Sequence, residues 1–298
     1  GERGLAFGFH RAMDHAGAVL GPLIGLAALK LLATDPEKPT ASDYTTIFLL
    51  ASVPALIAML VVIFAVRESH HRAAKKAVAP EPMAKAVAAD AEPPAPAVGA
   101  NRKLRLTLKG FDGNFKRFLV LVALFTLSNS SDFFLIRRAQ MAGISLGQGT
   151  LLLWAALHSV KVASSLVGGH LSDKLGRKTL IVSGWILYAA VYLGFAFVST
   201  SAGAWTLFLI YGVYFGLAEG AEKALVADLV LPEQRGTAYG LYNLAFGITV
   251  LPASLLMGAL WDWYGPATAF AASAGIGTTA ALLLALTVRP GKRLEVRG

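Results

Sequence analysis

Cysteine is absent from the 298 residues, which excludes disulfides, thiolate zinc sites and iron–sulfur clusters. Charge is scarce as well: Asp, Glu, Lys and Arg make up 15% of the chain, against about 25% in an average soluble one. So thin a polar surface does not dissolve a globule of this size. No phosphate-cradling loop of the GxxxxGK[ST] type occurs, and no nucleophile–base pair or zinc-ligand spacing stands out. A catalytic role, a cofactor and a metal are therefore not expected. What the chain has in excess is apolar: 55% of it is hydrophobic, and mean hydropathy is +0.59.

Those apolar residues fall into stretches of about twenty, the length that crosses a bilayer core. Eight spans are read, at Ala12–Leu32, Tyr44–Val66, Phe118–Ile136, Thr150–Gly168, Thr179–Val198, Trp205–Val226, Thr237–Leu260 and Pro266–Val288. Lipid offers the backbone no hydrogen-bonding partner, so such runs read as helices. They are too long for barrel strands and do not alternate in polarity. With both termini cytoplasmic, 21 of the 27 Lys and Arg lie on the cytoplasmic side and four on the other. Positive residues collect inside, and this bias sets the topology. It also accounts for the net charge of +9 without nucleic acid.

The segment Arg67–Arg117 is rich in Ala, Pro and Lys and has no apolar period, so it reads as a flexible cytoplasmic loop. A short amphipathic helix is expected near Lys103–Phe115. The loop divides the spans two and six. Periodicity accounts for this asymmetry. Arg3-Gly4-Leu5-Ala6-Phe7-Gly8-Phe9 leads into the first span, and Arg235-Gly236-Thr237-Ala238-Tyr239-Gly240-Leu241 leads into the seventh. A proline lies inside each following helix (Pro22, Pro252). Parallel six-helix repeats are one way to build a transporter. On that reading about four helices precede Gly1.

The loop Gly169-His170-Leu171-Ser172-Asp173-Lys174-Leu175-Gly176-Arg177-Lys178 resembles the signature loop of the major facilitator superfamily, which joins the second and third helices of each half. The resemblance implies an all-α polytopic membrane fold, with these eight spans as helices five to twelve of twelve. Residues 1–66 would end the N-terminal half, 67–117 would be the central loop, and 118–298 would form the C-terminal half. In the family this loop is a cytoplasmic latch, which points to Gly169, Asp173, Gly176, Arg177, Lys178 and Arg235, with Asp173 expected beside Phe7–Arg11. A tight turn carrying topology charges is the plainer reading of Lys174 and Lys178. Gly8, Gly17, Gly21, Pro22 and Gly25 are similar to the helix-five signature of proton-coupled antiporters, departing from it at Leu26. Close packing of small residues between membrane helices is the alternative.

Ionisable residues at membrane depth are costly, by about 2.5–3.5 kcal/mol each on insertion scales. His158 and Lys161 share one face of the fourth span, and Glu219, Glu222 and Lys223 lie in the sixth. Glu219 and Lys223 have the spacing of an ion pair. The third span ends in Ser128-Asn129-Ser130-Ser131-Asp132, so Asn129 and Asp132 are read as lining a wet cavity, with a loosened helix end near the outer surface, close to Arg137, as the alternative. Lys161 is expected to face Glu219 or Glu222. Three acids against two bases leave one carboxylate for a proton, assigned to Glu222 or Asp132; a permanently paired structural network is the alternative. His15 is the deepest of a cytoplasmic-end cluster. The tryptophans are read as an interfacial belt, and Pro266–Val288 as a lipid-facing helix.

The function implied is secondary transport of a small solute by alternating access, exported in exchange for protons, in a bacterial inner membrane. The partners are the bilayer, the solute and protons. The rival is a non-transporting sensor or assembly protein that keeps the fold.

Overall fold

The computed structural model describes residues 3–35, 40–64, 107–145 and 148–289, and every regular element among them is helical. The elements are α1 (Arg3–Leu32), α2 (Ala41–Phe64), α3 (Gly113–Ser128), α4 (Asp132–Met141), α5 (Gln148–Leu175), α6 (Arg177–Phe197), α7 (Ser201–Asp228) and α8 (Arg235–Thr287). A 3₁₀ turn at Pro232–Gln234 precedes α8. The expected loop 67–117 lies outside the described residues as far as 106. Its end is a turn through Gly110 (φ 87°), and α3 starts only at Gly113, so the described part of Lys103–Phe115 is mostly turn.

Seven helical stretches among the described residues are long and apolar enough to cross a membrane, where eight spans were expected. The seventh and eighth fall in one 56-residue stretch, Pro232–Thr287, broken at Gly265 (φ 85°, ψ 167°). At 1.5 Å per residue that stretch is about 80 Å long, more than twice a bilayer core of about 30 Å. The third expected span is not one helix. Short polar side chains at Ser128–Asp132 compete for backbone groups, and the helix opens between α3 and α4. The freed Ser128 carbonyl accepts the Tyr188 hydroxyl at 2.5 Å. Ser131 caps α4 by accepting from the Phe133 N–H, and its own N–H donates to Ser254 Oγ at 3.3 Å.

Lipid gives helices no hydrophobic reason to associate, so close packing must do it. The α5–α7 seam shows how. A Cβ on Gly168 would strike the backbone carbonyl of Gly216, and one on Gly216 would strike Ser164. Aromatic rings fill the other side: Phe125 stacks on Trp185 with centroids 4.2 Å apart, and Tyr188 stacks on Tyr192 at 4.1 Å. The helix over 266–287 packs on this core through Ala269, Phe270, Ser273, Ala274, Gly277, Ala280, Ala281 and Leu284, all buried. It is therefore not the lipid-facing helix its lack of charge suggested, because its small residues admit close neighbours. Against this body α1 lies along α5 and α7, while α2 buries no residue.

Candidate functional site

Tyr211, Phe215, Glu219 and Glu222 recur every three or four residues along α7, so they form one stripe. That stripe meets residues of α1, α4, α5, α6 and α8, and the buried charges gather around it. Glu222 is buried, and both of its oxygens are held. Trp185 Nε1 donates to Oε1 at 2.8 Å, and the Tyr242 hydroxyl donates to Oε2 at 2.6 Å. Trp185 is thus fully buried and does not belong to an interfacial belt. An indole N–H needs a partner when buried, and Glu222 supplies it. Trp263, by contrast, is 74% exposed.

Glu222, Glu219 and Lys223 border a cavity of about 260 Å³, with Asn129, Thr126 and Asn243 as further polar walls. Phe125, Tyr214, Phe215, Tyr242 and Phe246 supply its apolar walls. Asn129 stands at the opening between α3 and α4, so the polar run lines a cavity at that point.

Lys161 is buried and makes its ion-pair contact with Asp132 at 3.8 Å, while Glu219, one of the two acids expected to face it, acts on it through space. The break after α3 accounts for this, because it turns Asp132 inward at the start of α4. The Tyr211 hydroxyl donates to Asp132 Oδ1 at 2.8 Å. The ammonium also sits 3.4 Å from the Phe215 ring centroid, where the ring's negative face offsets its lost hydration. Glu219 meets His15 of α1, Nε2 to Oε2 at 3.5 Å. His15 lies with its ring centroid 5.3 Å from that of His158, which in turn packs on Trp154. The sequence marks His15 as the deepest member of its cytoplasmic-end cluster, without showing these partners.

The signature loop forms a second group at the ends of α5, α6 and α7. Gly176 turns the chain from α5 into α6 at φ 91°, in the left-handed region where a side chain is strained. Arg177 pairs with Asp228 at 2.6 Å and with Asp173 at 3.5 Å, and donates to the Ala224 carbonyl at 2.7 Å. Lys178 donates to the Ala285 carbonyl at 2.6 Å. Gly169 is buried in α5, and Arg235, which opens α8, is half-buried. Residues 1–2, and the side chains of 3–8 and of Arg11, lie outside the described residues, so Asp173 is not placed against that segment, and Gly8 is placed only as part of α1. Along α1, Gly17, Gly21 and Gly25 meet nothing within 4 Å on the side where a Cβ would stand, so they do not pack closely on any described neighbour. Pro22 sits within the helix without ending it.

Helices of membrane-crossing length around buried acids and bases define a polytopic membrane protein built to hold polar groups at depth. The sequence profile described as Major Facilitator Superfamily matches residues 1–222 and, in a second and overlapping match, 143–298. The chain belongs to this family of transporters. It is similar to an uncharacterized MFS-type transporter of Methanocaldococcus jannaschii, 32% identical over 265 residues, which is 87% of this chain and 58% of the relative. It also resembles the uncharacterized MFS-type transporter YqjV of Bacillus subtilis, 32% identical over 130 residues (42% of the chain, 30% of the relative). A third relative, the multidrug resistance protein MdtH of Cronobacter sakazakii, is 34% identical over 106 residues (35% and 24%). The chain spans about three-fifths of the first relative's length and less of the others.

Proposed function

We propose that this protein is a proton-coupled exporter of a small solute, working by alternating access between two six-helix halves. In this reading the eight spans are helices five to twelve, with the arms of α8 on either side of Gly265 crossing separately. Residues 1–66 and 118–298 then belong to different halves joined by 67–117, both termini and the loop are cytoplasmic, and the membrane is a bacterial inner membrane. The single observation that carries the reading is Glu222: a buried carboxylate on the wall of a cavity with mixed polar and aromatic lining. A group so placed can exchange a proton with whichever side the cavity opens to. Two neutral donors hold it, from Trp185 and Tyr242, so it keeps its hydrogen bonds in either protonation state.

Asp132 is the weaker carrier, because Lys161 pairs with it and the Tyr211 hydroxyl donates to it. Lys161, His158 and Asn129 then act on the solute and on Asp132, and Glu219 and Lys223 complete the cavity's charge. The loop residues Asp173 and Arg177, with Gly169, Gly176, Lys178 and Arg235, serve the cytoplasmic gate. Gly8, Gly17, Gly21, Pro22 and Gly25 serve the bending of α1, whose open surroundings leave room for it. Export is favoured by that glycine pattern and by the likeness to a protein named for multidrug resistance.

The test is pH-gradient-driven flux in vesicles holding the full-length protein, with solutes of different charge. Glu222→Gln should abolish coupling while Asp132→Asn weakens it. Coupled flux with unchanged pH dependence in both variants would move the carrier elsewhere.

A further inference from the structure

The seam where α1 meets α5 and α7 holds a polar cluster that shares Glu219 and Phe215 with the Glu222 cavity wall and otherwise lies apart from it. His15 is 8% exposed and His158 is 7% exposed. Neither ring nitrogen of His158 has a hydrogen-bond partner. An imidazole always carries at least one N–H, so a buried ring left bare is unusual in a settled core. The two rings pack directly on each other, with centroids 5.3 Å apart and planes tilted by 50°. On the other side of His15, Glu219 stands 3.5 Å from Nε2, and Phe215 closes the ring's edge at a centroid distance of 6.2 Å.

We infer that His15, His158 and Glu219 form a second proton-binding site, in which the proton on His15 ties α1 to α7. With the proton in place, imidazolium and carboxylate make a neutral pair, which low dielectric favours. When it leaves, Glu219 faces an imidazole that no longer offers it a charge, and α1 loses its ionic hold on α7. His158, in ring contact with His15, is the polar neighbour that sets how readily the proton leaves. No bond other than N–H is made or broken, and the proton returns to water.

The groups facing His15 set the sign. From α7 there is Glu219, with Lys223 one turn beyond. From α5 there is His158, with Lys161 one turn from it and already paired with Asp132. On α1 itself Asp14 is turned to His10, at 3.3 Å. Among the described residues the anion in contact with His15 is therefore Glu219, and protonation strengthens the contact. The site rests on the transport reading for its use in the cycle but not for its existence.

The absence of cysteine makes the test direct. Spin labels on Phe9→Cys and Leu175→Cys, both at exposed positions near the ends of α1 and α5, report the seam's opening in vesicles of the full-length protein. Between about pH 5 and pH 8, where an ordinary imidazole titrates, the parent should gain a longer-distance population as pH rises. His15→Gln should show that population at both pH values. His15→Lys, with a charge that persists, should show the short distance at both. His158→Gln should shift the midpoint, and an unmoved midpoint would overturn the two-histidine site. A His15→Gln protein that keeps the parent's full response would overturn the proposal, as would a parent without one. Proton flux is read separately with an entrapped pH dye. A responsive seam without flux defeats the transport reading and leaves the site standing, whereas flux with an unresponsive seam does the reverse.

Discussion

Replacing Gly216 by alanine adds one methyl group to α7, and the structure gives its consequence a size. The new Cβ falls on the backbone of Ser164, which cannot swing aside as a flexible side chain can. Ordinary carbon contacts need about 3.5–4.0 Å, so α5 and α7 must part by on the order of 1 Å. A gap of that width already forfeits a quarter to a half of each contact's dispersion energy along the seam. Overpacking of this kind costs about 1–3 kcal/mol, offset by up to about 1 kcal/mol for exchanging a helical glycine for alanine. The balance is a loss of about 1–2 kcal/mol, visible as a lower midpoint in thermal unfolding followed by tryptophan fluorescence. Gly168→Ala strikes the Gly216 carbonyl from the facing helix and should cost a similar amount. The two together should cost less than their sum, because the first separation makes room for the second. Gly17→Ala is the control: nothing lies within 4 Å of its added Cβ, so only the propensity gain remains and stability should hold or rise. Equal stability of Gly216→Ala and Gly17→Ala would refute the close-approach argument.

Three further outcomes are expected. Trp185→Phe removes the donor to Glu222 Oε1 and should destabilise by about 2 kcal/mol, with urea or thermal unfolding as the measure. Lys161→Ala leaves Asp132 without its cation and should cost about 3 kcal/mol; adding Asp132→Asn should recover most of it in a double-mutant cycle. Arg177→Lys should lose stability nearly as much as Arg177→Ala, because a single ammonium cannot span Asp228 and Asp173, which the guanidinium meets with different nitrogens. Protease sensitivity at the ends of α6 and α7 would report that loss.

The helical class and most span positions were legible because lipid length and backbone satisfaction admit few solutions. Glu222 and Asp132 were legible for the same reason, as charges in costly places. Their partners were not. Trp185 carries no mark that separates a buried donor from a belt residue, and only the fold brings α6 against α7. Lys161 found Asp132 because α3 ends early, and the polar run that ends it was visible, although its turn inward was not. The α7 stripe Tyr211, Phe215, Glu219, Glu222 was available as a helical period. His15 was undervalued because depth was judged from its own helix, whereas its burial comes from His158 and Phe215 on two others.

Several polar contacts join helix ends and not helix middles. Arg138, in α4, holds the carbonyls of Phe195 and Ala196 where α6 ends, and Lys178, in the first turn of α6, holds that of Ala285 where α8 ends. Asn114, at the start of α3, exchanges two hydrogen bonds with Arg289 just past α8. A smooth apolar helix resists sideways separation but has little to stop it from sliding along its neighbour. These contacts act as thumbtacks on the axial offset: a slip of one residue, about 1.5 Å, would break them at once. The bundle of α3, α4, α6 and α8 is thereby locked in height. The seam where α1 lies along α5 and α7 has no such tacks among the described residues, so it is the place left free to slide.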